Sequence, residues 1–342
     1  MTPYLVGVRY YLPEMIRSNE DLVAINPGWN AEKIYRKTGI RCRRIADEGQ
    51  TACDLGYEAA RCLIQELAVD RARIDALLFC TQSPDYHLPT TACLLQDRLG
   101  LPTSCGAFDF NLGCSGFTYG LWIARSLIKA GSAKTILLVV ADTYSKYCDP
   151  HDLATATLFG DAGAAALISS SPSGGFAVVG ESVVGTDGRG AGNLIVRAGG
   201  ARATGSSSLR GEHEGAISKT GTDAHLFMNG AEIFSFTLGA IPSGVQRLLD
   251  QLALRWDQID LFLMHQANRF ILESLRDTMK IAPEKLPIDL EDCGNTVSAS
   301  IPIVMRRCQE RGLFKAGQHC VLVGFGVGYS WAMTELTIIE GA

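Results

Sequence analysis

Ser126-Leu-Ile-Lys-Ala-Gly131, followed by Thr135-Ile-Leu-Leu-Val-Val140, is typical of a helix that ends in a turn before a buried strand. A similar stretch, Gly312-Leu-Phe-Lys-Ala-Gly317 followed by Cys320-Val-Leu-Val323, occurs much later in the chain. The two Lys-Ala-Gly units lie 186 residues apart (316 − 130). Helix ends of this kind are common, so this match indicates a duplication only if a second match has the same spacing.

A second pair of stretches has nearly that spacing. Asp75-Ala-Leu-Leu-Phe79 resembles Asp260-Leu-Phe-Leu263, which begins 185 residues later (260 − 75). Two matches in the same order predict a duplicated chain, since solenoid repeats recur every ~20–50 residues. The segment Ser169–Gly175 is rich in Ser, Pro and Gly and is a natural junction. We therefore expect two half-domains, residues 1–172 and residues 173–342.

Short apolar runs alternate with amphipathic helical patterns, which predicts an α/β fold with a mostly parallel sheet. A long helix is expected where apolar residues recur at spacings of three and four between Phe117 and Ile128. Buried strands are expected at Ala76–Thr81, Thr135–Ala141, Asp260–Met264 and Cys320–Phe325. In such sheets the functional site forms at the carboxyl ends of the strands.

Composition excludes several classes of protein. The 342 residues are 47% hydrophobic, with a net charge of −5 and a pI near 5.7. This charge does not fit a nucleic-acid-binding protein, whose surface is usually basic. No apolar run approaches the ~18 residues of a membrane span, and Met1–Pro13 lacks the pattern of a signal peptide. We therefore expect a cytoplasmic protein that binds neither nucleic acid nor membrane.

The 11 cysteines do not form a metal or disulfide pattern. Their number is odd, and none belongs to a Cys-x-x-Cys pair, the spacing that zinc sites and disulfide frameworks often show. Cys62, Cys80 and Cys308 lie in apolar patterns and are expected to be small buried hydrophobic residues. We therefore expect no metal.

Cys114 is the exception. It lies in Phe108-Asp-Phe-Asn-Leu-Gly-Cys-Ser-Gly-Phe117, between a strand-like run and the long helix. A helix N-terminus favours thiolate over thiol, so the pattern predicts an activated nucleophile. Gly113 and Gly116 allow a sharp turn and close access, and the Cys114 backbone N–H is placed to receive an oxyanion. The alternative is a buried cysteine at a tight turn.

His265 and Asn295 are the expected partners of this cysteine. His265 follows the apolar run Leu261–Met264, and Asn295 lies in a turn before a helix. Adding 186 to Cys114 gives Ser300, at the start of the equivalent helix, so the two loops should face each other across a pseudo-twofold axis. Thiol, imidazole and amide would then converge at three loops, as in many nucleophilic sites.

These residues lie in motifs that resemble one family over essentially the whole chain. The motifs are Lys37-Thr-Gly-Ile40, Gly113-Cys-Ser-Gly116, Phe159-Gly-Asp161, His265-Gln-Ala-Asn268, Gly294-Asn-Thr296 and Gly324-Phe-Gly-Val-Gly-Tyr-Ser-Trp331. The chain resembles the β-ketoacyl-acyl carrier protein synthase III family. The resemblance implies a thiolase-like fold of duplicated halves in a five-layered αβαβα arrangement, and a homodimer in which Asp85–Leu99 reaches toward the partner subunit.

The resemblance also implies the reaction. An acyl group passes from a thioester carrier to Cys114, and its carbonyl oxygen sits in an oxyanion hole formed by the backbone N–H groups of Cys114 and the Gly326–Val327 turn. A malonyl thioester then loses carbon dioxide while His265 and Asn295 hydrogen-bond its thioester carbonyl. The carbanion attacks the acyl group and gives a β-ketoacyl thioester. This chemistry requires neither metal nor redox cofactor, and the resemblance places the acyl pocket at Tyr144, Phe159 and Phe325.

The expected carrier contacts depart from the family pattern. Lys33 and Leu153 stand where the common members sandwich the adenine of coenzyme A, and Ala231 replaces an asparagine near the pantetheine arm. An acyl carrier protein is therefore the expected carrier for at least one substrate. Its acidic surface would meet basic residues near the entrance, namely Lys33, Arg36, Lys37, Arg41, Arg43, Arg44 and Arg269.

Other functions stay open at this stage. Some relatives transfer the acyl group to a hydroxyl or amine, and some related subunits control chain length without catalysis, although those typically lack the cysteine. A related synthase of hydroxymethylglutaryl-coenzyme A uses a glutamate base, for which Cys53–Leu95 offers no obvious motif. The Gly- and Ser-rich segment Ala198–Gly211 is expected to be a mobile loop, either gating the acyl pocket or lying on the surface. The primer acyl group is not identified.

Overall fold

The computed structural model describes residues 1–203 and 222–339. Within these residues the strands are β1 (Tyr4–Tyr11), β2 (Met15–Ser18), β3 (Cys42–Ile45), β4 (Ala76–Cys80), β5 (Gly106–Phe110), β6 (Thr135–Asp142), β7 (Ala162–Ser169), β8 (Ala177–Thr186), β9 (Leu194–Ile195), β10 (Phe227–Met228), β11 (Leu261–Met264), β12 (His319–Gly326) and β13 (Ser330–Ile338). The helices are α1 (Asn19–Ile25), α2 (Ala31–Thr38), α3 (Ala52–Glu66), α4 (Thr91–Arg98), α5 (Gly116–Lys129), α6 (Leu153–Ala156), α7 (Gly230–Leu252), α8 (Arg269–Thr278) and α9 (Ser300–Glu310). The strands expected from the apolar runs and the helix expected after Cys114 are confirmed.

Nine of the strands in the described residues form one sheet in the order β11-β12-β13-β8-β1-β7-β6-β4-β5. Of the neighbours in this order, β4–β5, β4–β6 and β11–β12 pair in parallel and the others are antiparallel. The expectation of a mostly parallel sheet is therefore wrong. Strand–helix alternation forces parallel pairing only where a helix crosses between neighbours, whereas β12 and β13 are joined by a short turn that returns the chain antiparallel.

Side-chain alternation along the strands builds five layers. In β6, Ile136, Leu138 and Val140 face a central core, whereas Leu137 and Val139 face an outer one. The central core contains α5 and α9, which lie between the two parts of the sheet. The helices α3 and α4 cover one outer face, and α7 and α8 cover the other. Burial of each large apolar side chain stabilises the layers by roughly 1.5–3 kcal/mol, and the expected five-layered αβαβα arrangement is confirmed.

The strand order also supports a duplicated chain. Strands from residues 4–169 form one part of the sheet and strands from residues 177–338 form the other, and they meet where Tyr4 and Leu5 pair with Val178 and Ala177. The division into half-domains 1–172 and 173–342 stays a prediction that this arrangement supports. Cys114 precedes α5 and Ser300 begins α9, so the two central helices present their first residues to the same region.

Candidate active site

The structure brings Cys114, His265 and Asn295 to one cavity of about 160 Å³. Cys114 lies between β5 and α5, His265 follows β11, and Asn295 precedes α9. The cavity is otherwise mainly apolar, and the further residues that line it are Leu158, Phe159, Leu194, Met228, Gly230, Ile233, Phe234, Ala267, Asn268, Phe270, Ile271, Phe325 and Gly326. Three groups able to act as nucleophile and hydrogen-bond donors thus meet where an apolar chain fits.

The Cys114 thiol is almost fully buried, with 4% of the residue exposed. The residue sits in the turn that Gly116 N–H closes by donating to Gly113 O at 2.7 Å, immediately before α5. Burial raises the pKa of the Cys114 thiol well above its ordinary value, and the nearby Asp142 carboxylate raises it further. Burial therefore opposes the thiolate that the helix N-terminus was expected to favour at Cys114.

Gly326 lies directly against the nucleophile. A Cβ at this position would stand 2.7 Å from Cys114 Cβ and 3.0 Å from Cys114 Sγ, so only glycine allows the approach. Val327, the other expected oxyanion residue, begins the 3₁₀ turn Val327–Tyr329. The structure thus places the Gly326 backbone beside the sulfur, and the oxyanion hole stays a prediction.

The His265 ring is held from two sides. Its Nδ1 atom lies 2.7 Å from Ser300 Oγ, and the edge of the ring meets Phe325, with centroids 5.4 Å apart and planes at 82°. The residue is only 2% exposed, and burial lowers the pKa of His265 to about 3. His265 is therefore a neutral imidazole throughout the physiological pH range.

The Asn295 loop is fixed to the segment that carries Phe159. Asn295 N–H donates to Leu158 O at 2.9 Å, and its carbonyl accepts from Gly160 N–H at 3.0 Å. Gly294 permits this approach, since its φ is +75° and a Cβ there would stand 2.7 Å from Leu158 O. The side-chain oxygen of Asn295 accepts from Val297 N–H at 3.0 Å, which leaves the amide NH₂ group as the donor for a bound molecule.

The three expected acyl-pocket aromatics are all buried near the sulfur. Phe159 and Phe325 line the cavity, whereas Tyr144 packs on Phe159 with ring centroids 5.2 Å apart. The Tyr144 hydroxyl donates to the side-chain oxygen of Gln82. Cys114 belongs to the same apolar cluster as these rings, so the three rings limit the space that an acyl chain can occupy beside the thiol.

The expected carrier-binding residues lie in different surroundings. Lys33, Arg36 and Lys37 are exposed on α2, whereas Arg269 lies over the Tyr35 ring at 5.0 Å from its centroid. Leu153 is 50% exposed. The structure thus leaves three of the four cations open to a partner and ties the fourth to an aromatic ring.

Two further arginines differ from the expected basic cluster. Arg43 is fully buried and donates to Thr157 O and to Asn19 Oδ1, so its expected place in the cluster is wrong. Burial lowers the pKa of Arg43 to about 10. Arg41 is exposed, yet its Nε donates to Glu291 at 2.6 Å. An arginine that satisfies backbone carbonyls in the interior cannot be told from a surface arginine by local sequence.

The sequence did not identify the groups that support the site. Ser300 was found only through its spacing from Cys114, and Asp142 and Ser298 were not singled out, although both are buried. A signal was present in Asp142, since a carboxylate ending an apolar run needs partners. The expected gating loop, Ala198–Gly211, lies mostly outside the described residues. In the described part of the chain, no three His, Cys, Asp or Glu side chains are grouped to hold a metal ion.

Comparisons with known proteins match different parts of this chain to the same type of enzyme. The family model for 3-oxoacyl-[acyl-carrier-protein] synthase III matches residues 108–188, and the model for the C-terminal part of that enzyme matches residues 249–338. The β-ketoacyl-[acyl-carrier-protein] synthase III of Caldanaerobacter subterraneus subsp. tengcongensis is 36% identical over 332 residues, covering 97% of this chain and 96% of the relative.

Solved structures of this type of enzyme superpose closely on the chain. One crystal structure of a 3-oxoacyl-(acyl-carrier-protein) synthase III superposes with a TM-score of 0.93 at 46% identity, covering 99% of this chain and 100% of the other. A 3-oxoacyl-(acyl carrier protein) synthase from Burkholderia xenovorans superposes with a TM-score of 0.90 at 37% identity, covering 100% and 95%.

Proposed function

This chain belongs to the β-ketoacyl-acyl carrier protein synthase III family, and from that premise we propose how its residues carry out a decarboxylative condensation. The enzyme is an acyltransferase of the condensing type. Its substrates are an acyl thioester, which loads the enzyme, and a malonyl thioester, which extends the acyl group. The product is a β-ketoacyl thioester with two more carbons than the primer.

The first half-reaction loads Cys114. The sulfur attacks the thioester carbonyl, the bond from that carbonyl to the carrier sulfur breaks, and the thiol proton of Cys114 leaves with the released carrier thiol. The oxygen of the tetrahedral intermediate carries a negative charge. It would lie beside Gly326 and the Cys114 backbone N–H, at the wall of the cavity. Because the resting thiol is neutral and buried, it is protected from water until a substrate enters.

The second half-reaction forms the carbon–carbon bond. The malonyl carboxylate leaves as carbon dioxide, and the electron pair moves into the thioester carbonyl as an enolate. Neutral His265 and the Asn295 NH₂ group donate hydrogen bonds to that oxygen, and one such donor contributes roughly 3–4 kcal/mol in other oxyanion holes. The enolate carbon then attacks the acyl carbonyl on Cys114. The bond between that carbonyl and the Cys114 sulfur breaks, and the released thiolate takes a proton from water and returns to the resting thiol.

One observation carries this proposal: two neutral donors share a mainly apolar cavity with a thiol. Neutral donors suit an oxygen that gains charge only in the transition state, because they do not bind the ground-state carboxylate as a fixed cation would. The orientation of the Asn295 amide favours condensation over transfer to a hydroxyl or amine, since transfer requires no second donor of this kind.

The test separates the two half-reactions. His265→Ala and Asn295→Ala should still take an acyl group on Cys114, seen by mass spectrometry, while forming β-keto product at least ~100-fold more slowly. Cys114→Ala should take no acyl group, whereas Cys308→Ala, which removes an equally buried thiol on α9, should take it normally. Condensation at the parental rate in either donor variant would refute the assigned role.

We propose that an acyl carrier protein delivers at least one substrate. Lys33, Leu153 and Ala231 are all exposed at the positions where an adenine sandwich and a pantetheine contact were expected. None of these three side chains is aromatic, so none offers a ring that could stack on adenine. The exposed cations of α2 would instead attract an acidic carrier surface.

A homodimer is part of the proposal. The segment Asp85–Leu99 carries Tyr86 and Leu88, which are 61% and 84% exposed. Large apolar side chains this exposed mark a surface for contact with another protein. Sedimentation should give the mass of a dimer. We expect its interface to bury on the order of 2,000 Å² or more.

A cytoplasmic location is also proposed. All 11 cysteines are free, as in proteins from reducing compartments. Among the described residues no helix is long and apolar enough to cross a membrane.

A further inference from the structure

Val297 has an unusual backbone conformation two residues after Asn295. Its φ is +52°, in the left-handed region that β-branched residues rarely adopt, and its side chain is fully buried. Such a conformation is costly and persists only where the surroundings enforce it. The question is which contacts hold this turn.

A buried carboxylate holds it. The Ser298 hydroxyl and the Ser298 N–H, the latter at 3.4 Å, both donate to Asp142 Oδ2. The other carboxylate oxygen accepts from Gln82 N–H at 2.8 Å. Asp142 is the last residue of β6 and is 0% exposed. It therefore fastens the turn after Asn295 to the carboxyl ends of two strands in the other part of the sheet.

Both sides of this turn serve the proposed donors. The left-handed Val297 directs its N–H to Asn295 Oδ1 at 3.0 Å, which fixes the amide orientation. The Val297 carbonyl accepts from Ser300 N–H, and Ser300 Oγ lies 2.7 Å from His265 Nδ1. A loosened turn would let the amide rotate and the serine withdraw together.

We propose that Asp142 is a positioning residue for condensation, which clamps the 296–300 turn and thereby aims both Asn295 and His265 at the second substrate. This inference rests on the proposed function, since it assigns a supporting role within the second half-reaction. Loading of Cys114 does not need either donor, so a loosened clamp should not slow it.

The clamp depends on the ionised carboxylate. All three of its partners donate, so a protonated Asp142 would lose at least one of these bonds. Burial raises the pKa of Asp142 to about 7, and the Asp161 charge adds to this effect. In the described part of the chain, the titratable groups that interact with Asp142 are Cys80 on β4, Cys114 before α5, Tyr144 and Tyr147 after β6, and Asp161 before β7, and none of these is a cation. Condensation should therefore weaken as pH falls through about 7.

The decisive variant is Asp142→Asn. Its side-chain oxygen can still accept from Gln82 N–H, but its NH₂ group would face the Ser298 N–H, donor against donor. We expect condensation at pH 8 to fall at least ~10-fold and the limb of the condensation pH profile near 7 to disappear. Acylation of Cys114 should not slow, because loss of the Asp142 charge removes one cause of the raised pKa of that thiol. Ser298→Ala, which removes one bond of the clamp, should lower condensation several-fold with the same split. The matched control is Ser182→Ala. It removes a partly buried hydrogen bond between the hydroxyls of Ser182 on β8 and Thr334 on β13, and it should change neither half-reaction.

The outcomes are distinct. If Asp142→Asn condenses at the parental rate with an unchanged pH limb, or loses acylation and condensation equally, the positioning role is wrong. If Asp142→Asn does not fold, Ser298→Ala decides, and an equal loss of both half-reactions there overturns the inference. If the parent protein itself loads Cys114 but forms no β-keto product, the proposed function fails independently of the clamp.

Discussion

Ser300 Oγ lies 2.7 Å from His265 Nδ1, although the two residues are 35 positions apart in the chain. The hydroxyl also donates to Val297 O at 3.0 Å, and the same carbonyl accepts from Ser300 N–H. The donor role proposed for His265 requires that the hydroxyl donate to Nδ1 instead of to Val297 O. A neutral imidazole that accepts at Nδ1 carries its proton on Nε2, where it can donate to a substrate oxygen.

Loss of this hydroxyl should therefore affect one half-reaction. In Ser300→Ala the His265 ring loses the partner that fixes its tautomer, so we expect condensation to fall about 10-fold, by analogy with the loss of groups that orient a catalytic base or donor. Acylation of Cys114, followed by mass spectrometry, should not change. Ser126→Ala removes a similar serine contact, to Trp122 O on α5, and should leave both rates as they are. Equal loss of both half-reactions in Ser300→Ala would contradict the tautomer role.

A methyl group beside the sulfur should block loading. In Gly326→Ala the new Cβ would meet Cys114 Cβ and Sγ at 2.7 and 3.0 Å, so the thiol must shift from its position. We expect acyl-Cys114 to form at least ~100-fold more slowly, with overpacking that costs about 1–3 kcal/mol of stability.

Gly192→Ala is the matched control for this methyl group, because an added Cβ there meets nothing within 4 Å. Its loading rate should equal that of the parent. Normal loading in Gly326→Ala would show that the acyl group approaches Cys114 from another side.

Burial of neutral His265 should make stability depend on pH. The pKa of His265 in the folded protein is lowered to about 3 from an ordinary value of 6.5. Between these two pH values the unfolded chain binds a proton at His265 and the folded chain does not. The contribution is fully present above pH 6.5 and is lost as pH falls toward 3, at about 1.4 kcal/mol per pH unit.

The measurement is the free energy of unfolding in urea between pH 7.5 and pH 4.5 for the parent and for His265→Gln. The two proteins share every other titratable group, so the difference between their curves isolates His265. We expect the parent to lose stability faster on acidification. Parallel curves would mean that His265 takes up a proton in the folded state.

Charge on α2 should control the use of the carrier. Arg36→Glu combined with Lys37→Glu should slow the reaction with an acyl carrier protein by about 10-fold at low salt and less at high salt, because screening weakens the attraction. The same acyl group on coenzyme A should react nearly as before. Arg73→Glu reverses another exposed charge, after α3, and is the control. Equal effects on both carriers would remove the proposed role of α2 in recognising the protein carrier.

The sequence alone determined the main strands and the three loops of the site, whereas the five layers were implied by the family resemblance. Apolar runs bounded by turns predicted β4, β6, β11 and β12, and the spacing between related stretches placed Cys114 and Ser300 at matching helix starts. These features depend on periodicity and local turn chemistry, which neighbouring residues impose by themselves. The motifs around Cys114, His265 and Asn295 predicted which side chains would share a cavity.

Only the tertiary structure decided the protonation states and the supports. The helix N-terminus predicted a thiolate at Cys114, yet burial raises the pKa of that thiol. Arg43 was expected on the surface and lies in the interior, and Asp142 joins Ser298 across 156 positions of chain. The reason is physical: a pKa and a buried hydrogen bond depend on how much water the whole fold removes and on which distant groups it brings near, and neither quantity is encoded in a local pattern.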